Sequence, residues 1–145
     1  VCSSDLLPWH LVRPEGGTPG MGASISLGVQ ATDLASGWLI LPADLPLIQP
    51  RTLQRVAEEL MNYGIVVPHH QQQAGHPVGF RREYREALQG LAGDTGAREI
   101  VMRARSQGDV LDLSLDDAGV IFDIDTLEDL RAAQKTRCAN AVVPD

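Results

Sequence analysis

Two apolar runs of this chain end in acid. WLILPADLPLI, Trp38 to Ile48, carries Asp44, and VIFDIDTLEDL, Val120 to Leu130, carries Asp123 and Asp125. In an open α/β sheet, ligands gather outside the carboxyl ends of the strands, so two strands that each terminate in carboxylate point to a shared divalent-metal site. Such a site could hold Mg2+ with water and phosphate oxygens in its remaining positions, which makes phosphate chemistry the leading expectation. The prolines of PADLP stiffen the exit around Asp44, although an aspartate there also suits a simple cap on the following turn. Strand alternation puts Asp123 and Asp125 on one face, where their mutual repulsion raises proton affinity unless a cation lies between them.

Three further segments could serve a phosphate-bearing ligand. GMGASISLG, Gly20 to Gly28, pairs a glycine turn with a helix start, and the helix offers free N–H groups and the positive end of its dipole. A glycine loop before a helix is, on its own, more often just a turn. AGHPVGF, Ala74 to Phe80, holds His76 extended before Pro77. With His69 and His70 it matches no standard transition-metal spacing. LQGLAGDTGAR, Leu88 to Arg98, contributes Asp94 and Arg98, a cap and a solvated cation in the plain interpretation, at a second loop that opens a helix.

The elements that must position these residues alternate in period. A short strand is expected over Trp9–Val12, then a turn-rich stretch from Arg13 to Gly22, and a helix from Ser24 to about Ala31. Trp38–Leu41 forms a buried strand. Leu53, Val56, Ala57, Leu60 and Met61 recur at helical spacing after Pro50, with Gly64 at the stop. Ile65–Val67 forms a second buried strand, Pro68–Gly79 a polar loop, and Arg81–Leu91 a helix turning Tyr84, Leu88 and Leu91 inward. Asp94 or Thr95 caps a helix running to about Arg105. Val110–Leu115 and Val120–Asp125 pair as a hairpin across Asp116–Gly119, and Thr126 opens a last helix with Asp129 completing an acidic capping box. Strands alternating with helices predict a three-layer α/β sheet of parallel strands.

Composition narrows the function. One core is the expectation for 145 residues of which 43% are hydrophobic. Twelve basic against nineteen acidic residues leave a formal charge of -7, without the basic stripe that would neutralise a nucleic-acid backbone. No apolar run suffices for a bilayer span, so neither nucleic acid nor membrane is an expected partner. Cys2 and Cys138 sit near opposite ends without metal-like spacing, which suits an intracellular, cytoplasmic protein better than a disulfide framework.

Val1 to Leu6, VCSSDL, is what the end of a common sequencing-adapter oligonucleotide encodes in frame, GTG TGC TCT TCC GAT CT, so these residues are set aside as a library scar. The expected organisation is a scar over 1–6, a partial domain over 7–137 and a tail over 138–145.

The order GMGASI, ADLP, GHPVGF, LAGDTGAR, DIDTLEDL resembles the MobA-like nucleotidyltransferase family, which includes molybdenum cofactor cytidylyltransferase and the related guanylyltransferase. The resemblance spans about Pro19 to Arg131. It implies a Rossmann-like α/β fold, nucleotide contacts from Gly20, Met21, Gly22, Ala23 and Ser24, Mg2+ on Asp44, and the second carboxylate from Asp123 or Asp125. GHPV and GDTGAR resemble the cytidylyltransferase branch and place His76, Pro77, Asp94 and Arg98 near the acceptor. The implied reaction joins a nucleoside monophosphate, from CTP in preference to GTP, to a phosphorylated acceptor such as molybdopterin, with pyrophosphate leaving and a molybdoenzyme as maturation partner. Leu127 stands where the family usually has Pro, and Leu45 where the branch is often polar. The family's opening strand and basic LAAG-type loop have no match here, so the sheet is expected to be incomplete at its N-terminus and the chain catalytically silent. FDIDT also fits the DxDxT motif of haloacid-dehalogenase-type phosphatases, but only twenty residues follow Asp125. A non-catalytic nucleotide-binding accessory module is the other alternative.

Overall fold

The computed structural model describes residues 11–16 and 20–140, with side chains to residue 136. Val1–Leu6, Cys2, Trp9 and His10 lie outside the described residues, and Leu11 and Val12 have no regular structure. Helix α1 (Gly20–Ala31) is followed by strand β1 (Gly37–Ile40), helix α2 (Pro50–Glu59) and strand β2 (Ile65–His70). Two strands, β3 (Gln73–Ala74) and β4 (Val78–Arg81), come next. A 3-10 turn over Arg82–Tyr84 leads into α3 (Arg85–Gln89), and then come α4 (Arg98–Ser106), β5 (Val110–Ser114), a second 3-10 turn over Ala118–Val120 and α5 (Leu127–Asn140).

The sheet is mixed, which corrects the expectation of parallel strands. β4 lies antiparallel between β1 and β2, pairing Trp38 with Phe80 on one side and Ile65 with Phe80 on the other. β5 runs parallel along the opposite edge of β2, from Ile65 against Val110 to His69 against Ser114. The segment expected as a polar loop is therefore the tail of β2, a tight hairpin into β3, and β4. Gln71 and Gln72 make that hairpin turn, with φ of 47° and 69°. Polar Gln and His residues hid the hairpin, and β4 pairs only with strands distant in the chain.

Side-chain alternation along β2 divides the core. Ile65 and Val67 join Val29 of α1, Trp38, Phe80, Leu88 of α3 and Ala104 of α4 in one cluster. Val66 points the other way, toward the face covered by α2, whose Val56 is fully buried; Met61, expected on the apolar face, lies beyond the end of the helix and is exposed. Helices on both faces of one sheet give the expected three layers. Pro50 opens α2 at its first turn, where a missing N–H costs nothing.

Two more expectations change. Val120–Asp125 is not a strand and makes no hairpin with β5, because the chain turns away through Ala118–Val120. The helix expected from Arg81 is a 3-10 turn plus the short α3, and α4 begins at Arg98 behind Ala97, with neither Asp94 nor Thr95 as a side-chain cap. The last cap is as expected: Thr126 N–H and hydroxyl donate to Asp129 Oδ2 at 2.8 and 2.7 Å, and Asp129 N–H donates back to the threonine oxygen.

Candidate functional site

The backbones of the two acid-bearing runs meet without a strand to carry the second. Ile124, between Asp123 and Asp125, donates its backbone N–H to the Asp44 carbonyl at 2.9 Å. All three aspartates are exposed, and none forms an ion pair among the described residues. Because the segment is irregular, the argument that alternation puts Asp123 and Asp125 on one face does not hold. No group of three or more His, Cys, Asp and Glu side chains gathers around a metal position among the described residues. The donors instead fit a hard cation held by one or two carboxylates, with solvent and substrate phosphates completing its shell, the usual arrangement for Mg2+.

Beside the acids, Gly75 and His76 fold back onto Val120, whose carbonyl accepts the His76 N–H at 2.8 Å. The His76–Pro77 bond is cis. Burial pushes the His76 imidazole below its ordinary pKa, while the Ile40 carbonyl and the Asp44 carboxylate pull it back up. Its Nδ1 is buried and has no hydrogen-bond partner among the described residues.

Both the β1 end and His76 border an open cleft of about 950 Å³. Its floor is apolar, from Ile25, Val29, Trp38, Val67, Phe80 and Val101, and its polar contributions include Ser24, His76 and Arg98. Arg98, exposed at the start of α4, is the one cationic side chain lining this cleft among the described residues. Pro77 is buried and does not line it.

The glycine motif divides between cleft and scaffold. The helix begins at Gly20, four residues ahead of the expected Ser24, so GMG is its first turn. Met21 and Ser24 face the cleft. The backbone amides of Gly22 and Ala23, expected to be free for a ligand, donate to the Gly93 carbonyl at 2.9 and 3.3 Å. Gly20 and Gly22 lie so tightly on Gly93–Thr95 that a Cβ on either would meet backbone or Asp94 atoms at 2.1 to 2.5 Å. The GMG and GDTG motifs are thus packed as one unit, with Asp94 exposed at its rim. His69, by contrast, is held by Asp112, which also takes both Arg105 guanidinium nitrogens, at the far edge of the sheet. The three histidines do not converge.

Sequence reasoning missed Asp117, treated only as part of a turn. It is buried and accepts hydrogen bonds from Gln49, Thr52 and Gly119. The Asp-Ala-Gly spacing was the local signal, since an aspartate two residues before glycine favours a side-chain-stabilised turn.

The FDIDT phosphatase alternative needs its first aspartate at the end of a strand that opens a sheet. Here the motif follows the last strand, and Thr126 is committed to capping α5.

Among known proteins, a family model for the MobA-like NTP transferase domain matches residues 3–109, ending at the residue before β5. Rv0371c from Mycobacterium tuberculosis H37Rv is 28% identical with a TM-score of 0.67, over 79% of this chain and 60% of that one. A structure of Rv0371c in complex with manganese is 27% identical with a TM-score of 0.64, over 80% and 61%. Molybdopterin-guanine dinucleotide biosynthesis protein A from Archaeoglobus fulgidus shares the fold at 16% identity and a TM-score of 0.53, over 83% and 64%. The chain spans about 60% of the length of the first two solved structures. No curated protein matches, and no helix among the described residues is long and apolar enough to cross a membrane.

Proposed function

Because the chain belongs to the MobA-like NTP transferase family, we propose that it serves nucleotidyl transfer: a nucleoside triphosphate gives its monophosphate to a phosphorylated small-molecule acceptor, and pyrophosphate leaves. The observation that carries this reading is the contact between Ile124 and Asp44, which brings two separate acid-bearing segments together just beyond the β1 end that borders the cleft. Asp44 and Asp125, with Asp123 as the alternative second donor, would hold Mg2+ or the manganese present in the Rv0371c complex. A divalent ion bound there supplies charge neutralisation at the α-phosphate and the leaving group.

The residues of the chain have the remaining tasks. Met21 and Ser24 bound the side of the cleft assigned to the nucleotide, and His76 and Arg98 the side assigned to the acceptor. The acceptor is already anionic, so its phosphate oxygen attacks the α-phosphorus without a general base, and alignment carries most of the catalysis. Arg98 steadies acceptor charge, and His76 borders the same side of the cleft. CTP as the preferred donor, a molybdopterin acceptor, delivery to a molybdoenzyme and a cytoplasmic setting belong to the same proposal. The CTP preference rests on the GHPV and GDTGAR motifs.

Pyrophosphate release measured on the full-length protein, side by side with CTP, GTP, ATP and UTP, with Mg2+ or Mn2+ and a pterin phosphate acceptor, tests this. Metal-dependent release that favours CTP and is lost in Asp44→Ala supports the reading. A GTP preference would move the protein to the guanylyl branch. Binding of nucleotide without turnover would favour the accessory-module alternative, for which the shortage of cleft cations among the described residues is the specific argument.

A further inference from the structure

Asp117 is 3% exposed and pairs with no cation among the described residues. A buried carboxylate is costly unless donors surround it, and three do. Oδ2 accepts from Gln49 N–H at 3.0 Å and from the Thr52 hydroxyl at 2.5 Å, and Oδ1 accepts from Gly119 N–H at 2.9 Å. Gln49 is the N-cap residue of α2, and its own side chain makes no capping bond. Asp117 is therefore the anionic cap of α2, supplied from 68 residues further along the chain and favoured by the helix dipole.

From this anchor the chain runs back along the loop that follows β1. Asp117 lies against Gln49 and Thr52, Gly119 against Leu47 and Ile48, and Ile124 against Asp44. The numbers fall on one side as they rise on the other, so two acid-bearing segments lie antiparallel with no sheet ladder between them. Gly119 permits the approach, because a Cβ there would stand 2.4 Å from the Leu47 carbonyl oxygen. Val120 meanwhile holds His76 through its carbonyl.

We propose that Asp117 is a positioning residue for the nucleotidyl-transfer site: by capping α2 from across the fold it holds the Asp123–Asp125 segment on Asp44. This deepens the function proposed above, and its functional half rests on that reading.

Asp117→Asn keeps the shape but replaces one acceptor oxygen with an N–H2 group, so either the Gln49 and Thr52 donors or the Gly119 donor is left facing another donor. Hydrogen exchange in the 145-residue chain should show the Ile124 amide exchanging about tenfold faster, as expected for loss of one charge-assisted hydrogen bond. The amides of the β2–β5 ladder should keep their protection. Mn2+ affinity, followed by electron paramagnetic resonance, should weaken by about tenfold on the same grounds. Asp109→Asn is the control, because Asp109 likewise accepts from a backbone amide, Gly64 N–H at 2.9 Å, and a hydroxyl, Tyr84 at 2.6 Å, but lies at the other end of β5. It should change neither readout. If Asp117→Asn does not fold, Thr52→Val removes one donor and should raise Ile124 exchange by a smaller factor, with Thr52→Ser restoring it. Wild-type protection at Ile124 in the Asp117 or Thr52 variants, or equal loss in Asp109→Asn, overturns the anchoring role. Failure of the unmodified chain to bind Mn2+ overturns the functional half, while hydrogen exchange still decides the anchoring half.

Discussion

Gly22 and Gly28 share helix α1, yet alanine at the two positions should act in opposite directions. A Cβ at Gly22 would stand 2.1 Å from the Thr95 carbonyl oxygen and 3.0 Å from that of Ala92. Carbon and carbonyl oxygen rest at about 3.3 Å, so the helix and the GDTG loop must part by roughly 1 Å. That movement breaks the Gly22 and Ala23 hydrogen bonds to Gly93, worth about 1 kcal/mol each, and adds about 1–3 kcal/mol of overpacking. Better helix propensity returns about 1 kcal/mol. The balance is a loss of about 2–4 kcal/mol, or roughly 5–13 °C in Tm for a domain of this size. A Cβ at Gly28 meets nothing within 4 Å, so Gly28→Ala should stabilise by about 0.5–1 kcal/mol, roughly 2–3 °C. Thermal unfolding followed by far-ultraviolet circular dichroism measures both. A Gly22→Ala chain that melts at or above the parent temperature would refute the packing of GMG and GDTG as one unit.

Asp44→Asn should leave Tm within about 1 °C, since its carboxylate is exposed, while cutting metal-dependent pyrophosphate release of the full-length protein by about 100-fold or more; a folded variant with near-normal turnover would remove Asp44 from the site. Gln72→Gly should stabilise the chain by about 1 kcal/mol, because glycine relieves the left-handed backbone of a non-glycine residue at φ 69°; chemical denaturation that shows no gain would mean the turn carries no strain. Burial, and then the hydrogen bond to Asp109, raise the Tyr84 phenol above its ordinary value of 10.0. With the folded value raised, its contribution to stability is complete below about pH 10 and is lost as pH climbs through the folded value. The phenolate absorbance missing from Tyr84→Phe should be the part that develops only well above pH 10, and a missing part that titrates near 10 would contradict this.

Local signals in the sequence determined much of the scaffold. Helix α2 follows from its apolar spacing and Pro50, the start of α5 from the Thr126 and Asp129 pair, and β1 and the first half of β2 from short apolar runs. Motif order sufficed to name the family, and each motif is local in the chain. Tertiary structure decided what those signals leave open. Val78–Arg81 became a strand because β1 and β2 pair with it on both sides, although its own residues include glycine and follow a polar run. Val120–Asp125 did not become one, because Asp117 directs the chain toward Gln49 and Thr52. The helix of the glycine motif starts early because a carbonyl from Gly93 satisfies its first amides. Periodicity and capping are short-range properties that survive without the fold. The approach of Ile124 to Asp44 depends on donors and acceptors far apart in the chain, and only the packed sheet brings them together.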